Sequence, residues 1–323
     1  MGGSVAFPGL VRAMLAVIFM LFGAAAPAGE TTGPEIIATL YPQYDFARRI
    51  AGDHARVRLL LPPGAESHSY EPTPTAMKDI AKADLFIYTG EHMEPWARRL
   101  ADSAIAPDGK TAVVDASRGL QLRRHDEDDG DDHGHEDEEE NHQHEDAHYH
   151  ELDPHIWVDP LMAAVMAENI AQALIEKDPA NADDYRRNAG ALIADLKKLD
   201  VDFKARVAAS PRRTLVFGER FAFAYFFDRY GLEEVGAYKS CAPGAEPGIQ
   251  AVIATINYVK ENKVRYIYLE TMSTSRISKV INQETGAEIL AVDGLHNPAP
   301  DRQELGYVEI MRQNMDAFAR GLE

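Results

Sequence analysis

The chain has 323 residues, 45% of them hydrophobic and 26% charged, with a formal net charge of −19 and one cysteine. That length carries one large or two ordinary domains with real cores. An acidic chain without a basic patch excludes nucleic acid as a partner, which demands clustered Lys and Arg, and the lone Cys241 excludes an internal disulfide.

The N-terminus reads as a secretory signal peptide over residues 1–28. Arg12 supplies the positive region, "MLAVIFMLFGAAA" (Met14 to Ala26) the apolar one, and "APA" the small residues for cleavage after Ala28. The apolar run is shorter than the ~20 residues of a membrane span. No cysteine stands at the cleavage position, so the expected product is a soluble exported protein, periplasmic in a cell with two membranes, and not a lipoprotein.

From Glu35 short apolar runs alternate with amphipathic segments. "EIIATLYP" reads as a strand and Asp45 to Ala51 as a helix; "RVRLLLPP" is a second strand, then come the loop "GAESHSYEP" and a helix near Pro74 to Ala83. "DLFIYTG" and "TAVVDAS" are two more strands around a helix starting near Glu94. Beyond residue 210, "LVFGE", "EVGAYKS", "VRYIYLE" and "AEILAVDG" repeat the pattern with helices between them. Strands alternating with helices predict parallel sheets built from β-α-β units. Between the two sets lies a long helical stripe of Tyr185, Ala189, Leu192, Leu196, Leu199, Phe203 and Val207, ending before Pro211. Asp178 is placed to cap it, with Pro179 at its first position. The expected fold is therefore α/β: an N-terminal lobe over 29–178 and a C-terminal lobe over 210–323, joined by a rigid linker helix over 179–209.

Residues 125–151 stand apart. They hold 14 of the acidic residues, seven histidines and no Lys or Arg. With no apolar residue at helical spacing, this His/acid-rich tract predicts a solvated, disordered loop. It contains His144-Glu145-Asp146-Ala147-His148, the H-E-x-x-H spacing of zinc proteases, but that motif needs a helix to set its geometry. Weak collection of zinc by several imidazoles and carboxylates is the better reading.

The remaining histidines lie in ordered contexts. His68 follows the second strand in "SHSYEPTP", His155 sits in "DPHIWVDP" before a helix that Asp159 caps, and His296 follows the last strand. Ligands of parallel sheets bind beyond the carboxyl ends of the strands, which also nominates Glu219 and Asp293. His54 and His92 lack a comparably placed carboxylate, and His54 reads as a surface residue. A four-ligand shell with two or three His suits Zn²⁺; Mn²⁺ or Fe²⁺ also fits a mixed shell, and the affinity order favours zinc.

"PPGAESHSYEPTP", "DPHIWVDP", "YFFDRYGL" and "AEILAVDGL" together resemble the metal-binding receptors of zinc and manganese ABC importers, from about Glu35 to the C-terminus. The resemblance implies two α/β lobes on a rigid helix, with the metal in the cleft between them. It places His68 and His155 on the first two ligands and Asp293 on the fourth. At the third position this chain has Arg220, which stays protonated and cannot ligate, so Glu219 or His296 takes the role. The His-rich loop resembles that of the zinc-type members. The implied function is a zinc receptor, not an enzyme, acting as a monomer with an ABC permease and its ATPase and receiving metal from a zinc metallochaperone. Tyr70, Glu71 and Asp159 are placed to orient ligands, and Cys241 to approach the cleft. Rival readings are a manganese or iron receptor, a metallohydrolase with an open water position, and a zinc buffer or adhesin.

Overall fold

The computed structural model describes Gly2 and residues 33–62, 65–103, 110–124, 152–218, 222–238, 247–271 and 276–323. The signal-like segment, the His/acid tract, Glu219, Arg220 and Cys241 lie outside the described residues. The chain divides into two compact units, Met1–Glu30 and Thr31–Glu323; every described residue except Gly2 belongs to the second.

That unit holds two four-stranded sheets. In the N-terminal lobe, β1 (Glu35–Ala38), β2 (Arg56–Leu59), β3 (Leu85–Tyr88) and β4 (Ala112–Asp115) lie in the order β2-β1-β3-β4. The C-terminal lobe repeats it with β5 (Thr214–Phe217), β6 (Glu233–Gly236), β7 (Tyr266–Glu270) and β8 (Glu288–Val292), ordered β6-β5-β7-β8. Every strand pair is parallel. The inner strands read as unbroken apolar runs because helices cover both faces: all four residues of β3, "LFIY", are buried. The expectation of two parallel-sheet α/β lobes with a helical linker is met.

Helices α1 (Tyr41–Ala51), α2 (Pro74–Ile80) and α3 (Pro95–Ser103) alternate with these strands, and α4 (Pro160–Lys177) closes the first lobe. Thr73 caps α2, its hydroxyl accepting from Ala76 N at 3.2 Å, and Pro74 opens it. Asp159 does the same for α4, accepting from the amides of Leu161 and Met162 ahead of Pro160. The linker α5 (Ala182–Ala209) has 28 residues, about 42 Å at 1.5 Å per residue, and buries the stripe from Tyr185 to Val207. It starts three residues later than Pro179, which lies in a 3₁₀ turn over Pro179–Asn181. Asp178 does not cap: its carboxylate accepts instead from the Tyr185 hydroxyl and the Asn181 amide, both at 2.7 Å. In the second lobe α6 (Ala224–Tyr230), α7 (Ile249–Glu261) and α8 (Arg276–Thr285) separate the strands, and α9 (Pro300–Gln303) and α10 (Tyr307–Leu322) complete the chain. No described helix is long and apolar enough to cross a membrane.

One hydrophobic core runs through both lobes. It joins Ile36, Phe46 and Trp157 to Leu196 and Phe203 of α5, and these to Phe217, Tyr268 and Phe318. Hydrogen bonds add to this seam. The Tyr307 hydroxyl donates to Trp157 O and the Tyr41 hydroxyl to Gln303 O, and Tyr307 N donates to Asp45. The lobes are thus packed as one body, with the carboxyl ends of the sheets' strands delivering loops to the cleft.

Candidate metal centre

Three loops converge where parallel sheets place their ligands. His68 comes from the β2–α2 loop, His155 from the segment before α4, and His296 from the β8–α9 loop. Each offers a ring nitrogen within 4.8 Å of the other two. The ring centroids are 5.2 Å apart for His68 and His155, 5.3 Å for His68 and His296, and 4.9 Å for His155 and His296.

Local chemistry sets each ring. Glu66 accepts from the amides of His68 and Ser69 at 3.1 and 2.7 Å, which curls the loop under His68. The Asn297 amide reaches across the cleft to Pro62 O and Ala65 O, tying that loop to the one carrying His296. His155 is 1% exposed, and its Nδ1 lies 2.7 Å from Asp153 Oδ1, which also accepts from the His155 amide. With the proton held on Nδ1, Nε2 keeps its lone pair for a cation. Burial pulls the His155 pKa below the ordinary histidine value, outweighing the opposing pull of Asp153. The ring therefore stays neutral, as a ligand must be.

His155 Nε2 and His68 Nε2 are 3.3 Å apart. Two imidazole nitrogens bound at about 2.05 Å to a tetrahedral zinc stand about 3.3 Å apart. The third ring, His296, packs its edge on Trp157 at 5.0 Å. Its Nε2 is buried with no hydrogen-bond partner among the described residues, while its Nδ1 lies 3.4 Å from Glu270. A buried imidazole nitrogen without a partner is costly unless something binds it. A divalent cation with affinity for imidazole fits this donor set.

Asp293 stands apart from the cluster. It is buried, but Oδ1 accepts from Leu295 N at 2.9 Å and Oδ2 pairs with Arg302 Nε at 2.8 Å. It shapes the turn that delivers His296, aided by Asn314, which bonds both the amide and the carbonyl of Asp293. Among the residues nominated as orienters, Asp159 caps α4 and pairs with Arg229. Tyr70 packs on Trp96, and Glu71 is exposed. His54 does have a carboxylate, Asp184, at 2.7 Å. Two further carboxylates lie beside the cluster, Asp153 at His155 and Glu270 at His296. Asp153 sits two positions before His155, and Glu270 ends β7, where the same rule that picked out Asp293 would have found it.

The model of the family described as "Zinc-uptake complex component A periplasmic" matches residues 36–321. The high-affinity zinc uptake system protein ZnuA of Bacillus subtilis is 32% identical over 289 residues, covering 89% of this chain and 87% of that protein. The zinc-binding lipoprotein AdcA of Streptococcus pneumoniae is 31% identical over 313 residues, 96% of this chain but 60% of its own length. The crystal structure of Zn(II)-bound AdcA from Streptococcus pneumoniae aligns with a TM-score of 0.72 at 28% identity, over 90% of this chain and 58% of that one.

Proposed function

Because the chain belongs to the family of periplasmic zinc-uptake components, we propose that it is the high-affinity zinc receptor of an ABC import system, holding Zn²⁺ in the interlobe cleft through His68, His155 and His296. The observation that carries this reading is the convergence of three imidazoles, one with a buried, unpartnered Nε2. An exported, soluble receptor of this kind captures zinc and hands it to a membrane permease driven by an ATPase subunit. No covalent bond is made or broken.

The residues act by exchange of coordination. Neutral imidazoles replace water on the cation, and docking to the permease must loosen that shell. Glu219, two residues after β5 in the sequence, remains the candidate for a further ligand, whereas Asp293 already serves Arg302 and the Leu295 amide. A shell dominated by imidazole favours zinc over manganese, which prefers oxygen donors. The acidic His tract serves as a low-affinity collector that raises the local zinc concentration.

Zinc titration of the metal-free protein tests the assignment, comparing wild type with His68→Ala and with a deletion of residues 125–150. One tight site is expected, lost in His68→Ala and kept in the deletion, with weaker sites lost only in the deletion. A tight site that disappears with the tract would overturn the interlobe assignment. Tighter binding of Mn²⁺ than Zn²⁺ in competition would overturn the metal.

A further inference from the structure

His155 has a carboxylate behind it, and so does His296. Glu270 is the last residue of β7 and pairs with Val292 at the end of β8, two residues before the turn that carries His296. Its Oε1 lies 3.4 Å from His296 Nδ1. The space it occupies exists because residue 294 is glycine. A Cβ there would come within 2.2 Å of Glu270 Oε1 and 3.0 Å of His296 Nδ1.

The backbone around this contact is held from both sides. Trp157 Nε1 donates to Gly294 O at 2.8 Å, and Thr271 N donates to Val292 O at 2.7 Å. Leu295 adopts a left-handed φ of 62° and is fully buried, turning the chain directly ahead of His296. Tyr41 N then binds His296 O at 3.3 Å. Ring orientation is thereby fixed: Nδ1 faces the carboxylate, and Nε2 is the nitrogen left for the cleft.

Charge gives the arrangement a second consequence. Three neutral imidazoles around a divalent cation leave two positive charges in a partly dry cleft, a costly state unless balanced. Asp153 and Glu270 each sit behind one of those rings, 2.7 and 3.4 Å away. Together they carry two negative charges.

We propose that Glu270 is a positioning residue for the bound cation: it holds His296 in the Nδ1–H tautomer with Nε2 directed at the metal, and with Asp153 it balances the charge of a divalent ion. This deepens the receptor reading and rests on it. Carboxylates behind metal-bound histidines typically contribute 10–100-fold in metal affinity.

The test uses the full exported chain with Glu270→Leu, Glu270→Gln and His296→Ala. Zinc affinity is read by competition with a chelator, the His296 tautomer by ¹⁵N NMR of the metal-free protein at pH 8, and folding by thermal unfolding without metal. Glu270→Leu is expected to weaken zinc roughly 10–100-fold and to lose the fixed Nδ1–H tautomer. Glu270→Gln keeps the tautomer, since its amide oxygen still accepts, yet binds zinc more weakly because the charge is gone. Should Glu270→Leu fail to fold, Glu270→Gln decides the matter by affinity alone. Wild-type affinity in either folded variant, alongside a weakened His296→Ala, would overturn the role of Glu270 and leave the receptor intact. A tight site that survives His296→Ala would instead overturn the three-histidine assignment.

Discussion

Replacing Asp45 with alanine is expected to destabilise the whole protein, although Asp45 touches neither the metal centre nor the centre of the core. Asp45 lies in α1 of the N-terminal lobe with a fully buried side chain. Its Oδ2 accepts from Tyr307 N at 3.1 Å, the first residue of α10 in the other lobe. The residue preceding that helix is Gly306, with no side chain to cap it, so the carboxylate caps across the seam. Losing a helix cap costs ~1 kcal/mol, and leaving a buried amide unsatisfied brings the cost towards ~2 kcal/mol. The Asp45 pair with Arg48, whose side chain is 51% exposed, adds little after solvent screening. The expected loss is about 2 kcal/mol, or a fall of roughly 3 °C in Tm for a chain of this size. Thermal unfolding of the metal-free protein measures it, and one cooperative transition is expected because the lobes share a core. Asp45→Asn should recover part of the loss by accepting the same bond without the charge. An Asp45→Ala Tm within 1 °C of wild type, or two separated transitions in the wild type, would refute the account of a clamped seam.

A second expectation concerns pH. Glu94 is 1% exposed, and burial pushes its carboxyl up to about 7 against the hydrogen bonds from Thr39 and Thr89. The folded state then keeps a proton that the unfolded chain releases near 4.5, so stability falls as pH rises between those values, by at most ~3 kcal/mol. Glu94→Gln should flatten that slope in urea midpoints measured from pH 4.5 to 8; equal slopes would sink the argument. In the shared core, Leu196→Ala on α5 removes a fully buried side chain and should cost about 2–5 kcal/mol, read as a lower urea midpoint at unchanged m-value.

Ordered contexts, and for His68 and His296 the rule that ligands gather beyond strand carboxyl ends, separate His68, His155 and His296 from the crowded tract, and those are the rings the fold brings together. The same rule named Asp293, but a strand-end position does not say what a carboxylate will bind. Arg302, nine residues later, takes one oxygen and a local turn takes the other. Glu270 falls under the rule too, but its run "YIYLE" reads as strand to its last letter and hides it. Asp153 gives no periodic signal at all, since its role depends on a 3₁₀ turn that points the His155 ring back at it. The linker helix starts at Ala182 and not at Pro179 for a similar reason. Asp178 and Pro179 form a good capping pair by type, but the Tyr185 hydroxyl competes for the same carboxylate.

What no local pattern encodes is the bracing between the ligand loops. Asn297 binds the backbone of the His68 loop across 235 and 232 positions of sequence, and Trp157 binds Gly294 across 137. These contacts brace the backbone of the histidine-bearing segments into one frame. Such a frame lowers the ordering cost of binding, because the donors are already aimed.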